Sequence, residues 1–237
     1  PMNLGGFEVR STASAGKEAM AQAFSQIAQV ADPSARLARY AARLVPIYVG
    51  LTFVLWIGLV SLGEVPYIAL IHAMSVLSTS GITPIGGLYY AVAGFWGEVL
   101  IFVFFLFAIS RLSFSPRLLG ENDKGLASDP EFKMGLAFII AVTSMLFLRH
   151  FFGSIGEDST STVDQMLRAI WGAAFTVTSF LTTTGFESRH WLGAADWSGL
   201  ETPGLLLVGL ALIGGGVATT AGGVKLLRIY ALYRHSE

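Results

Sequence analysis

Long apolar runs alternate with shorter, interrupted ones along the chain. Four runs are long enough to cross a bilayer, which takes about 20 apolar residues per helix. They cover roughly 44–62, 90–109, 134–152 and 203–230. Between the first and second lies Pro66 to Ile82, and between the third and fourth lies Val163 to Phe186. These two inner stretches are apolar but punctuated by polar residues. Each has room for only about 12 to 18 helical residues before a hydroxyl-rich loop, which suits a re-entrant half-helix better than a full span. Pro66 fits the first turn of such a helix, where its missing N–H costs nothing. The predicted order is span, half-helix, loop, span, and then the same again.

The two loops match. One reads Leu77-Ser78-Thr79-Ser80-Gly81-Ile82, the other Leu181-Thr182-Thr183-Thr184-Gly185-Phe186. Aligning Gly81 with Gly185 also aligns Leu77 with Leu181 and Ser75 with Ser179. Internal repetition is a common way to build a transport path in a membrane. A half-helix that stops inside the membrane aims unpaired carbonyls and a partial negative charge at whatever lies beyond its C-terminus. The returning loop carries backbone groups that cannot stay bare in a low dielectric, so they must line a hydrated or ion-filled path. Small hydroxyls keep that backbone close to an ion, and glycine lets it turn its carbonyls inward. The candidate ion filter is therefore Ser78, Thr79, Ser80, Gly81 and Ile82 with Thr182, Thr183, Thr184, Gly185 and Phe186. A cation would meet Thr79, Ser80, Gly81, Thr183, Thr184 and Gly185, while Ile82 or Phe186 wedges outward as a packing anchor. The plain alternative is Ser/Thr/Gly packing between membrane helices.

A second signal breaks the last span. Gly214, Gly215, Gly216, Gly222 and Gly223 sit within ten residues, beside Thr219 and Thr220. Each glycine costs a helix roughly 1 kcal/mol relative to alanine, so the helix should break here. A break at membrane depth is tolerated where it lines a cavity, so this stretch, ending at Lys225, is a candidate gate beneath the filter. Close helix packing through small residues is the other reading. A Walker phosphate loop fails, because Val224 precedes Lys225 and Leu226 follows it.

Composition agrees with a membrane protein. The 237 residues are 53% hydrophobic and 13% charged, with mean hydropathy +0.62; soluble domains carry about 25% charged residues. The net charge of −1 gives no bulk basic surface for nucleic acid. There is no cysteine, which removes disulfides, thiolate metal sites and cysteine nucleophiles. The sequence starts at Pro1 with neither an initiator methionine nor a signal peptide, and reads as a piece of a longer protein or as a processed chain.

Charge also sets orientation. Arg10, Lys17, Arg36, Arg39 and Arg43 precede the first span; Arg111, Arg117, Lys124 and Lys133 lie in the linker; Lys225, Arg228 and Arg234 close the chain. The opposite side has only Arg149, Arg168 and Arg189. Both ends and the central linker should be cytoplasmic, with both loops approached from outside. Met20, Phe24 and Ile27 suggest an amphipathic cytoplasmic helix. Pro116, Gly120, Asn122 and Gly125 mark the linker from Ser113 to Asp129 as loop. The polar stretch from Glu187 to Pro203, with Trp191 and Trp197, suggests interfacial aromatic anchoring.

Several charged residues have two readings each. Glu187 and Asp196 could concentrate cations at the mouth or be solvated surface acids. Glu98, inside a span, could be functional or a hydrogen-bonded structural acid. Lys225 could repel cations, hold the loop by pairing with an acid, or anchor the cytoplasmic end. A different class of function, an intramembrane enzyme, would use serine, His72 and Glu98, although His72 and Ser75 on one short helix read more simply as packing polar groups. A non-conducting assembly subunit is a third.

The segments Thr182-Thr183-Thr184-Gly185-Phe186 and Gly214-Gly215-Gly216-Val217-Ala218-Thr219-Thr220-Ala221-Gly222-Gly223-Val224-Lys225 resemble the TrkH/KtrB superfamily of potassium transporters, related to fungal Trk and plant HKT proteins. The resemblance covers nearly the whole chain. It is most specific in the last 60 residues and weaker around Gly81. It implies an all-α integral membrane protein with a potassium-channel-like pore, in which four span–half-helix–span repeats each give one filter loop. It also implies potassium as the transported ion with no covalent cofactor, no enzyme chemistry, and a location in the cell (inner) membrane. A homodimer and a cytosolic ring of nucleotide-binding regulatory subunits of the TrkA or KtrA type are implied as partners. On that pattern residues 1–35 hold the end of a preceding repeat and the amphipathic segment, and 36–119 are repeat two. Residues 120–130 are a cytoplasmic linker, and 131–237 are repeat three with the glycine-interrupted span. Two departures stand out. Only two of four repeats are present, so this chain alone cannot close a pore. Ala221 stands where many members have another glycine.

Overall fold

A computed structural model describes residues 33–109, 129–153, 163–198, 203–217 and 219–235. The expected preceding-repeat end, the amphipathic helix at Met20 to Ile27 and the linker up to residue 128 lie outside them. The described residues form eight helices and no strand. In chain order these are α1 (Pro33–Ser61), α2 (Pro66–Ser78), α3 (Gly94–Phe107), α4 (Pro130–Gly153), α5 (Val163–Leu181), α6 (Trp191–Ser198), α7 (Pro203–Ile213) and α8 (Leu226–His235). The chain divides into two units at Pro46, which lies inside α1. The described part of the first unit is the start of that helix.

Two helices contain stretches long and apolar enough to cross a membrane, Leu44–Ser61 and Glu131–Arg149. Of the other two expected spans, one is shorter than expected and the other breaks where its glycine cluster predicts. The run 90–109 is helical only over the 14 residues of α3. Its start is delayed by a turn ending at Gly94, whose φ of +61° is a left-handed conformation that suits glycine. The Glu64 carboxylate accepts a hydrogen bond from Ala93 N at 3.0 Å just before the helix. The last run is split into α7 and α8 around the glycine cluster. Of the two inner stretches, α2 has 13 residues, as expected, and α5 has 19, slightly more than expected.

Two apolar clusters organise the packing. One joins α1, α2 and α3 through Leu55, Leu59, Ala73, Val76, Ile101 and Phe105. The other joins α4 to α8 through Ile139, Leu146, Ala173, Leu181, Leu210 and Leu226. Helix α5 links them. Its Ala169, Ala173, Val177 and Leu181 recur every four residues along one face and belong to the second cluster. Its Trp171 and Phe175 face the first, where Phe175 meets Phe105 at 5.4 Å between ring centroids. Trp191 was expected as an interfacial anchor. It is instead 2% exposed and part of the second core, because residues 191–198 coil into α6 and lay their first turn against α5. The side chains of Asp196 and Trp197 lie outside the description.

Candidate functional site

The two hydroxyl-rich loops have the same local geometry at a constant offset of 104 residues. Helix α2 ends with Ser80 N bonded to Ser75 O (3.0 Å) and Thr79 N to Val76 O (3.2 Å). Helix α5 ends with Thr184 N bonded to Ser179 O (2.8 Å) and Thr183 N to Phe180 O (3.0 Å). Both are Schellman caps, which require a left-handed residue after the helix. Threonine takes that role twice: φ is +50° at Thr79 and +59° at Thr183. A non-glycine residue pays about 1–2 kcal/mol for this conformation. Gly81 and Gly185 are left-handed too, at +66° and +82°. The hydroxyls repeat as well: Ser78 Oγ donates to Ser80 Oγ at 3.0 Å, and Thr182 Oγ1 lies 3.1 Å from Thr184 Oγ1.

The loops face each other. A Cβ on Gly81 would run into the Thr184 carbonyl oxygen, so no larger residue fits that approach. Phe186 is 2% exposed and packs edge-on against the His72 ring of α2, 5.7 Å between centroids. Ile82, its counterpart, is 64% exposed. Of the two expected anchors, only Phe186 is enclosed, because it points between the two halves of the chain. Beyond the glycines lies an open cavity of about 590 Å³, lined by Gly81, Gly185, Thr83, Tyr89, Glu187 and Ser188 among others. Glu187 is exposed there.

Against the other end of the loops lies the glycine-rich segment. Helix α7 stops at Ile213, and Gly214 and Gly223 are left-handed at +76° and +79°. The chain leaves and returns over the same spot. Val224 N bonds Leu212 O (2.8 Å), Lys225 N bonds Ile213 O (3.0 Å) and Leu226 N bonds Gly215 O (3.1 Å). The neck is tight, since a Cβ on Gly214 would strike Gly222 O. The loop tip touches both half-helix ends: Thr220 Oγ1 donates to Leu77 O at 2.9 Å, and Gly222 N donates to Thr183 Oγ1 at 2.6 Å. Gly216 N bonds Ala108 O past the end of α3 (3.1 Å), and Val217 N bonds Glu131 Oε1 on α4 (3.2 Å). Thr219 Oγ1 closes a turn on Gly216 O at 2.7 Å. Lys225 Nζ points back into its own loop, donating to the carbonyls of Ala221 and, at 3.5 Å, Gly216. Its ammonium thus holds the loop through the loop's own carbonyls, with Glu131 close enough to act on its charge.

The remaining candidates resolve structurally. Glu98 is 2% exposed, and its oxygens accept from Trp171 Nε1, Ser188 Oγ and Arg189 N. His72 Nε2 lies 3.0 Å from Thr83 Oγ1, and Ser75 Oγ 3.2 Å from Ser80 Oγ. His72 and Glu98 are each engaged in holding loops in place, which is not the arrangement of a nucleophile and its base. His190, in the loop before α6, is held below the ordinary imidazole range by burial, with Glu98 opposing. Thr83, Thr176, Ser188 and Glu131 were not singled out from the sequence. The offset of 104 contained one clue, since it places His72 opposite Thr176, and both contact the strand leaving their loop.

Two helices of spanning length and composition, with further shorter apolar helices, describe an all-helical protein of the multi-pass membrane class. Comparison with known proteins agrees. No family model matches the chain. It is 32% identical over 206 residues to the Trk system potassium uptake protein TrkH of Vibrio parahaemolyticus, covering 83% of this chain and 39% of the relative. It is 30% identical over 209 residues to that of Escherichia coli K12 (85% and 40%), and 29% over 207 residues to that of Salmonella typhimurium (85% and 40%). The chain is a distant homologue of the TrkH potassium uptake proteins and forms a partial TrkH-like segment. It spans about 40% of the length of these relatives, which are transporters and not enzymes.

Proposed function

We propose that this chain supplies two of the four filter loops of a potassium uptake path. Residues 36–119 and 131–237 act as the second and third of four span–half-helix–span repeats, 1–35 as the end of the preceding repeat and a cytoplasmic amphipathic segment, and 120–130 as a cytoplasmic linker. Potassium sheds its water onto the carbonyl and hydroxyl oxygens of Thr79, Ser80 and Gly81 and of Thr183, Thr184 and Gly185. The C-terminal ends of α2 and α5 bring partial negative charge to the same axis. Ser78, Ile82, Thr182 and Phe186 frame the loops. The segment with Gly214, Gly215, Gly216, Thr219, Thr220, Gly222, Gly223 and Lys225 is the gate below. Both ends and the linker lie in the cytoplasm, the protein sits in the cell membrane as a homodimer, and TrkA-type nucleotide-binding subunits assemble on its inner face. The observation that carries this reading is the pair of identical caps facing each other across Gly81 and Thr184, with the broken span bonded to both.

The test is Gly185→Ser in the four-repeat protein. A Cβ there meets nothing within 4 Å, so the fold survives, but the left-handed φ of +82° is strained for serine. A strain of about 1–2 kcal/mol placed on one ligand loop lowers potassium-over-sodium discrimination roughly tenfold. Unchanged discrimination would refute the filter assignment.

A further inference from the structure

We infer that Glu98 is a positioning residue for ion discrimination: it braces the outgoing strand of the second loop from the first half of the chain. The inference rests on the filter reading above. Glu98 sits on α3, yet its hydrogen bonds go to the other half, at distances of 2.9 Å from Trp171 Nε1, 2.7 Å from Ser188 Oγ and 2.7 Å from Arg189 N. Ser188 is three residues past Gly185. The strand between them is pinned on its other side by α5, where Phe186 N donates to Ser179 Oγ (2.7 Å) and Ser188 N to Thr176 Oγ1 (3.2 Å). Arg189 then reaches back to the first half, donating through Nη2 to Ala91 O at 2.9 Å and Tyr89 O at 3.3 Å. The strand leaving Gly185 is therefore clamped between its own half-helix and a carboxylate from the preceding span.

The chemistry favours a carboxylate. An ionised carboxylate accepts only, so three converging donors suit it, and charge-assisted bonds of this kind are about twice as strong as neutral ones. An amide at this place has one acceptor oxygen and turns its N–H2 toward another donor. The first loop is braced differently: Thr83 Oγ1 gathers His72 Nε2, Ile85 N and Gly87 N within its own half. The cross-half carboxylate thus belongs to the second loop, and its loss should change how that loop holds its carbonyls while the first remains intact.

The experiment uses the four-repeat protein in liposomes, with rubidium uptake measured against increasing sodium. Glu98→Gln is expected to lower rubidium-over-sodium discrimination about tenfold, the size expected for losing a hydrogen bond to a charged group. Ser188→Ala, which removes one donor and leaves the carboxylate, is expected to lower it several-fold, and combining the two should be no worse than Glu98→Gln alone. If Glu98→Gln fails to reach the membrane, Ser188→Ala carries the test. A purely structural role predicts lower abundance or thermal stability with discrimination unchanged in the protein that folds, and that result overturns the inference. Absence of rubidium uptake in the unsubstituted protein would instead refute the filter reading itself.

Discussion

Gly81→Ala should remove potassium uptake almost entirely, with the protein still present in the membrane. Two costs act at one atom. The φ of +66° is left-handed, costing alanine about 1–2 kcal/mol. The new methyl also enters the space of the Thr184 carbonyl oxygen, and overpacking of this kind costs about 1–3 kcal/mol. The backbone oxygen it strikes belongs to the other proposed ligand loop, so strain in one loop displaces a ligand in the second. Uptake should fall roughly 30-fold or more on the smaller sum of those costs. Gly185 has open space around its missing Cβ and should tolerate change better. Rubidium uptake normalised to membrane abundance decides the matter. Near-normal uptake by Gly81→Ala would mean that the contact between the loops is not part of the path.

Excising residues 215–221 should give the second large effect, in the opposite direction. Gly214 and Gly222 already touch at the neck of the loop, so the cut ends meet with little rearrangement. Excision removes Thr220 and its bond to Leu77 O, and withdraws Gly222 N from Thr183 Oγ1. Each such bond contributes about 1 kcal/mol to keeping the loop against the filter. Losing both should raise resting uptake about tenfold or more, independent of any regulatory subunit. Uptake equal to that of the intact protein would remove the gate from the mechanism.

How much of this was legible in the sequence depends on whether the signal was local. The glycine cluster from Gly214 to Gly223 breaks a helix by its own backbone preference, and α7 and α8 part there. The hydroxyl loops were found by repetition, and the repetition extends to their hydrogen bonds. Their left-handed residues were not foreseen at Thr79 and Thr183, because threonine disfavours that conformation and only the helix-end cap imposes it. Long-range partners were invisible. Nothing local to Glu98 points to Ser188, 90 residues away, or links Thr220 to Leu77. Trp191 misled because tryptophan is common both at interfaces and in cores, and only the coiling of α6 decides between them. For Lys225 the sequence suggests repelling cations, holding the loop through an acid, or anchoring the cytoplasmic end; its φ of +83° and its bonds to the carbonyls of its own loop are set by a backbone path that the sequence does not display.

The most direct test of the central claim is radioactive rubidium uptake by the purified four-repeat protein in liposomes, with potassium and sodium as competitors. If Thr79 to Gly81 and Thr183 to Gly185 line a potassium path, potassium should compete with rubidium on equal terms. Sodium should then need concentrations about tenfold higher or more, one step of roughly 1.4 kcal/mol in discrimination. No uptake above empty liposomes, or sodium competing as well as potassium, would contradict the account.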